Sequence, residues 1–147
     1  MAYTDIDKPT DYFNTKLYTG NASTNAITGI GHQPDMVWLK SRSFAQNHEM
    51  YDAVRTATKR IYPNGSYAED TNSTGLTAFN SDGFTLGAAN TINKSGDTFV
   101  AWNWKANGAG SANTDGSISS TVSANTTSGF SIVKWTGTGS SGTIGLI

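Results

Sequence analysis

Residues 81–105 read SDGFTLGAANTINKSGDTFVAWNWK and decide the fold class. Two hydrophobic strand candidates lie there, 83–87 and 98–105, joined by a polar link rich in Asn, Gly and Ser. Successive strand side chains point to opposite faces, so Val100, Trp102 and Trp104 share one face while Phe99 and Ala101 share the other. A strand apolar on both faces belongs in the middle of a sheet covered on both sides. The pair therefore predicts the centre of an all-β domain. Asp82-Gly83 is a hairpin signal, with residues 75–79 as the partner arm.

Composition agrees. The chain has 147 residues, enough for one domain with a real core. Only 14% of them are charged, and Gly (16 residues), Ser, Thr and Asn abound, which is a turn-rich β composition. Four Trp, six Tyr and six Phe, with a formal charge of -1, set it apart from disordered chains. No Lys/Arg stripe is present to displace counterions from phosphates, which excludes nucleic-acid binding driven by charge. Arg55, Lys59 and Arg60 read as an ordinary solvated segment. Without cysteine there is no disulfide framework and no thiolate metal site. The opening MAYTDIDKPTD is acidic and polar, unlike a signal peptide, and no apolar run nears the ~20 residues that span a bilayer. These features predict a soluble protein made in a cytoplasm, with no membrane insertion.

Taken in order, residues 1–11 read as a polar, extended arm, strands are expected at 12–19, 26–30 and 36–40, and 48–54 fits a strand or a helix, with the strand favoured. A helical turn is expected within 55–62 and a long polar loop over 63–74. After the hairpin and the 98–105 strand, residues 106–115 have linker composition. Residues 117–123 read as an edge strand and 129–136 as a strong strand. Another strand begins at 143–147. Phe130–Ile144 also overlays Phe13–Ile27 at a constant offset of 117 residues. Phe, Thr, Gly, Ser and Ile recur at 13/130, 19/136, 20/137, 23/140 and 27/144. Such a repeat points to tandem modules. It divides the chain into an arm (1–11), a module (12–128) and a C-terminal segment (129–147), which starts a second repeat or pairs with a neighbouring subunit.

No catalytic constellation emerges. His48 and Asp52 lack a partner at a spacing that fixes acid–base geometry. Two histidines leave little for a metal, and His48-Glu49 lacks the second histidine of the zinc helix. Asp82, Asp97 and Asp115 each flank Gly in turns, without the oxygen ladder of a calcium loop. Trp102 and Trp104 suit a sugar-stacking platform, but their apolar neighbours place them in the core. Five N-x-S/T sequons follow from composition. Catalytic residues, metal and cofactor are all expected to be absent.

Several stretches together resemble a known family: MAYTDIDKPTDYFNTKLYTGN, TGIGHQPDMVWLKSRS, SDGFTLG, GDTFVAWNWKANG and NTDGSISSTVSANTTSGFSIVKWTG. They are similar to a domain of marine tailed-phage virion structural proteins, including tail-fibre-like proteins, where it occurs in tandem copies. The resemblance covers nearly the whole chain. It implies a β-sandwich of the concanavalin/SPRY type and carries no catalytic residues.

The joint expectation is an antiparallel two-sheet β-sandwich, of jelly-roll or concanavalin/SPRY-like form, with an extended N-terminal arm. Its function would be structural and non-catalytic, within a virion assembled in the host cytoplasm, decorating the capsid or building a tail fibre. Partners would be copies of itself, as in a trimer, and other virion proteins. The polar arm and apolar C-terminus nominate Tyr3, Ile6, Pro9, Ile144, Leu146 and Ile147 for inter-subunit contacts. The alternative is a carbohydrate-binding host-attachment module presenting Phe44, Tyr62 or Tyr67 to a surface glycan. A glycan-cleaving enzyme, needing paired carboxylates ~5–10 Å apart, is least favoured with Glu49 and Glu69 as the only glutamates.

Overall fold

The computed structural model describes residues 6–145. A single 3-10 turn at Pro9–Asp11 leads into β1 (Phe13–Thr19), β2 (Asn25–Thr28), β3 (Met36–Ser41) and β4 (Glu49–Asp52). The chain continues through β5 (Lys59–Arg60), β6 (Asp70–Thr71), β7 (Leu76–Asn80) and β8 (Gly83–Leu86). One helical turn, α1 (Asn90–Asn93), precedes β9 (Thr98–Trp104), β10 (Ser111–Asn113), β11 (Ser120–Asn125) and β12 (Phe130–Trp135). All strand pairings within sheets are antiparallel, giving a four-stranded sheet β1-β9-β3-β4, two three-stranded sheets β2-β8-β7 and β10-β11-β12, and a β5-β6 ribbon. The expected all-β, sandwich-like architecture holds.

The two runs of the 81–105 stretch are both interior strands, but of different sheets: β8 of one, β9 of the other. Ile27, Leu76, Phe84 and Leu86 from the β2-β8-β7 sheet pack with Val37, Leu39, Tyr51 and Ala101 from the four-stranded sheet. Each large apolar side chain so removed from water contributes about 1.5–3 kcal/mol. The core therefore lies between these two layers, and β10–β12 supply nothing to it.

Turn chemistry holds the layers in register. Gly83 sits at φ 154°, and a Cβ there would come within 1.9 Å of the Ile27 carbonyl oxygen on β2. Beside it, the Asp82 carboxylate accepts the Gly29 and Gly31 N–H groups at 2.9 and 2.6 Å, pinning the β2–β3 loop. Buried Asn93 does the same at the other end. Its Nδ2 donates to the carbonyls of Ser23 (2.7 Å) and Gly87 (2.8 Å), and its Oδ1 accepts from the Asn21 N–H and Asn25 Nδ2.

Several expectations need correction. Trp102 and Trp104 lie outside the core: the inward face of β9 is Phe99, Ala101 and Asn103, all fully buried. Both faces of β9 carry aromatic residues, so apolarity alone cannot say which one meets the opposing sheet. The 117–123 edge strand is the central strand of its sheet, shifted to Ser120–Asn125, because the linker-like 106–115 segment contributes β10 to one side of it. The polar 63–74 loop contributes β6, and the arm winds into a 3-10 turn at Pro9–Asp11, since proline at the first turn is pre-set for helical φ.

Candidate functional site

The outer face of the four-stranded sheet carries an aromatic strip. Cross-strand register sets Phe13 opposite Trp104 and Trp38 opposite Trp102. The Phe13 and Trp104 rings are 5.0 Å apart, and Trp38 meets Trp102 edge-on at 5.9 Å. Phe130 from β12 stacks on Trp104 at 6.2 Å. Phe13 and Leu17, on edge strand β1, remain 39% and 57% exposed. An apolar depression of about 500 Å³ opens beside Phe13, lined also by Ile6, Pro9, Tyr12, Trp104 and Phe130. At the far end of the strip the Trp38 indole N–H donates to His48 Nδ1 at 2.9 Å. Desolvation by burial, helped by the Lys40 charge, lowers the His48 pKa and keeps that nitrogen free to accept.

Beyond β4, the opposite edge is charged. Glu49 is fully buried; its Oε2 accepts the Tyr51 hydroxyl at 2.5 Å and its Oε1 accepts Arg60 at 2.8 Å. Burial, then the Glu49 charge, pushes the Tyr51 pKa far up, so its hydroxyl stays a donor. Arg60 also forks onto Asp70 at 2.7 and 3.0 Å, and this pairing lowers the Asp70 pKa. Arg55 bridges Asp52 (2.6 Å) and Glu69 (3.3 Å). Arg55 and Arg60 are thus no solvated segment. Their side chains are 12% and 16% exposed, drawn in because buried carboxylates need paired donors. The signal available was two acids flanking Tyr51 in a strand, matched by two arginines a few residues on.

Of the residues nominated for a ligand, the structure joins Tyr62 and Tyr67, whose rings meet edge to face at 5.3 Å. The Arg60 guanidinium lies 5.0 Å from the centre of the Tyr62 ring. Phe44 is elsewhere, packed on Phe99 with Lys94 over its ring. Of those nominated for inter-subunit contact, Ile6 and Pro9 line the depression beside Phe13, and Ile144 forms a parallel bridge with Ile118 of the same chain. Tyr3, Leu146 and Ile147 lie outside the described residues. His48 engages Trp38, and Asp52 is held by Arg55; the two do not form a catalytic pair. The aromatic strip was the feature missed, since it required knowing which face of β9 looks outward.

Fold and surface define a β-sandwich-like domain with an aromatic strip across the outer face of one sheet and an arginine-braced tyrosine pair beyond its β4 edge. The chain belongs to the family described as Domain of unknown function (DUF7483), which matches residues 8–146. Comparison with curated proteins and with solved structures gives no match.

Proposed function

We propose that the chain is a non-catalytic structural module of a phage virion, assembling with copies of itself and with neighbouring virion proteins in the host cytoplasm. The observation that carries this reading is the partly uncovered strip of Phe13, Leu17, Trp102 and Trp104. A contiguous apolar patch of this kind marks a surface built for a partner. Its position matters as much as its chemistry. Among the described residues β1 is an edge strand, so a second chain there can bury the apolar row and meet unpaired backbone groups as well. Covering the part of Leu17 and Phe13 still exposed would contribute about 0.5–1.5 kcal/mol each, a gain that accumulates when repeated around a symmetric assembly. The resemblance of the motifs to phage virion domains supplies the setting, a capsid surface or a tail fibre.

The test is incorporation of a tagged chain into particles during infection. Wild type is expected to co-purify with intact virions, and Leu17→Lys to be depleted by about tenfold, the equivalent of 1.4 kcal/mol. A wild-type chain absent from particles, or a Leu17→Lys chain incorporated equally, overturns the proposal.

A further inference from the structure

A second surface, independent of the assembly face, has the construction of a ligand site. Tyr67 is 65% exposed, and its ring is fixed from below. A Cβ on Gly65 would lie 2.8 Å from Tyr67 Cδ2 and 2.9 Å from Cε2, so the ring rests directly on the glycine backbone. Tyr62 meets it edge-on, Arg60 backs Tyr62, and Arg60 is anchored in turn to buried Glu49 and to Asp70. An outward aromatic ring is thus held by a chain of contacts that reaches the core. Such rigid tyrosines give large contact area at small entropic cost.

The rim supplies matched polar groups. Asn47, Tyr62, Tyr67, Ala68 and Asp70 enclose a shallow depression of about 260 Å³. Asn47 Oδ1 accepts from Asn64 Nδ2 at 3.1 Å, which fixes the amide and turns its Nδ2 donors away from that bond. Asp70 Oδ1 accepts Arg60 Nε, and its second lone pair remains to accept another hydrogen bond. The Asp70 pKa is lowered, so the group is an ionised acceptor at neutral pH. A flat apolar ring beside one donor and one acceptor matches a ligand with an apolar face and a hydroxyl rim. Arg60 is already matched by two carboxylates, so an acidic ligand would meet Asp70 without a cation to receive it.

We infer that Tyr67, with Asn47 and Asp70, forms a binding site for one ring of a neutral saccharide. The site lies beyond β4, whereas Phe13 and Leu17, the most exposed apolar residues of the assembly strip, lie on β1 at the opposite edge of the four-stranded sheet.

The test is a titration of the full chain, followed by amide NMR shifts, with the methyl glycosides of galactose, glucose and N-acetylglucosamine, beside sialyllactose and a tyrosine-rich peptide. At least one neutral glycoside is expected to bind with a millimolar dissociation constant, as suits a shallow one-ring site, shifting the amides around residues 47 and 65–70. Tyr67→Ala should weaken binding about tenfold or more. Gly65→Ala should weaken it with Tyr67 still present, because its Cβ displaces the ring. Leu17→Lys should leave it unchanged. Shifts confined to sialyllactose or to the peptide, no neutral binding, or binding that survives Tyr67→Ala each overturn the inference.

Discussion

Trp104 and Phe130 stack at 6.2 Å with 22° between their ring planes, and this contact ties the β10-β11-β12 sheet to the outer face of the four-stranded sheet. Phe13 packs on the same Trp104, so the two phenylalanines that head the repeated motif converge on one indole. The residues that follow them diverge. Tyr18 stacks on Phe99 at 5.2 Å, whereas its counterpart Trp135 is 52% exposed.

Because β10–β12 add nothing to the main core, Phe130→Ala should loosen that sheet locally. Full burial would put the loss at about 3–5 kcal/mol, and half-burial brings it to roughly 2 kcal/mol. Hydrogen exchange should accelerate in Ser120–Asn125 and Phe130–Trp135 while Met36–Ser41 keeps its protection. Equal acceleration everywhere would show one cooperative unit instead.

The buried Glu49 carboxylate depends on two donors. Arg60→Ala removes one and leaves the charge short of a partner, so it should cost about 3 kcal/mol in urea unfolding. Tyr51→Phe removes a neutral donor and should cost about 1–2 kcal/mol. A loss under about 1 kcal/mol for Arg60→Ala, typical of exposed pairs, would show that water reaches Glu49.

Asp82 titrates below the usual carboxylate range because the Gly31 N–H, then the Gly29 N–H, bonds its ionised form. A carboxyl lowered on folding stabilises the fold fully above its unfolded value near 3.8, and that contribution fades as pH falls through the lower folded value. Carboxyl NMR should place the Asp82 midpoint below 3.8. In Asp82→Asn the acid-side loss of stability should flatten. A midpoint at or above the ordinary value contradicts the geometry.

His48 offers a second pH reporter. Its pKa is lowered by burial, so the neutral form belongs to the folded state and its contribution is complete above pH 6.5. That contribution is lost as pH falls through the folded value, when Nδ1 takes a proton and can no longer accept from Trp38. The Trp38 indole N–H resonance should therefore shift with a midpoint below 6.5. A midpoint at 6.5 or higher would show the contact to be open to solvent.

The sequence made the sandwich legible where turn chemistry and alternation coincide. Asp82-Gly83 ends one strand and begins another, and the doubly apolar 98–105 run could only be an interior strand. It did not reveal which side of β9 is the inside, since Phe99 and Trp102 are equally apolar. The aromatic strip stayed hidden with that choice. Short strands such as Asp70–Thr71 carry no periodicity, and their pairing rests on Arg60 reaching Asp70 across the ribbon. Tyr67 was legible as an exposed aromatic, whereas Tyr62, read the same way, is half-buried. The bracing of the pair was not legible, because Gly65, Arg60 and Glu49 come together only in three dimensions.

Whether the Phe13–Leu17 face is an assembly surface is tested most directly by sedimentation velocity of the whole chain over a range of concentrations. Wild type should sediment as a multimer, Leu17→Lys should shift toward the monomer, and Tyr67→Ala should behave as wild type. A wild-type chain that stays monomeric at every concentration, or a Leu17→Lys chain that remains as multimeric as wild type, would contradict the account.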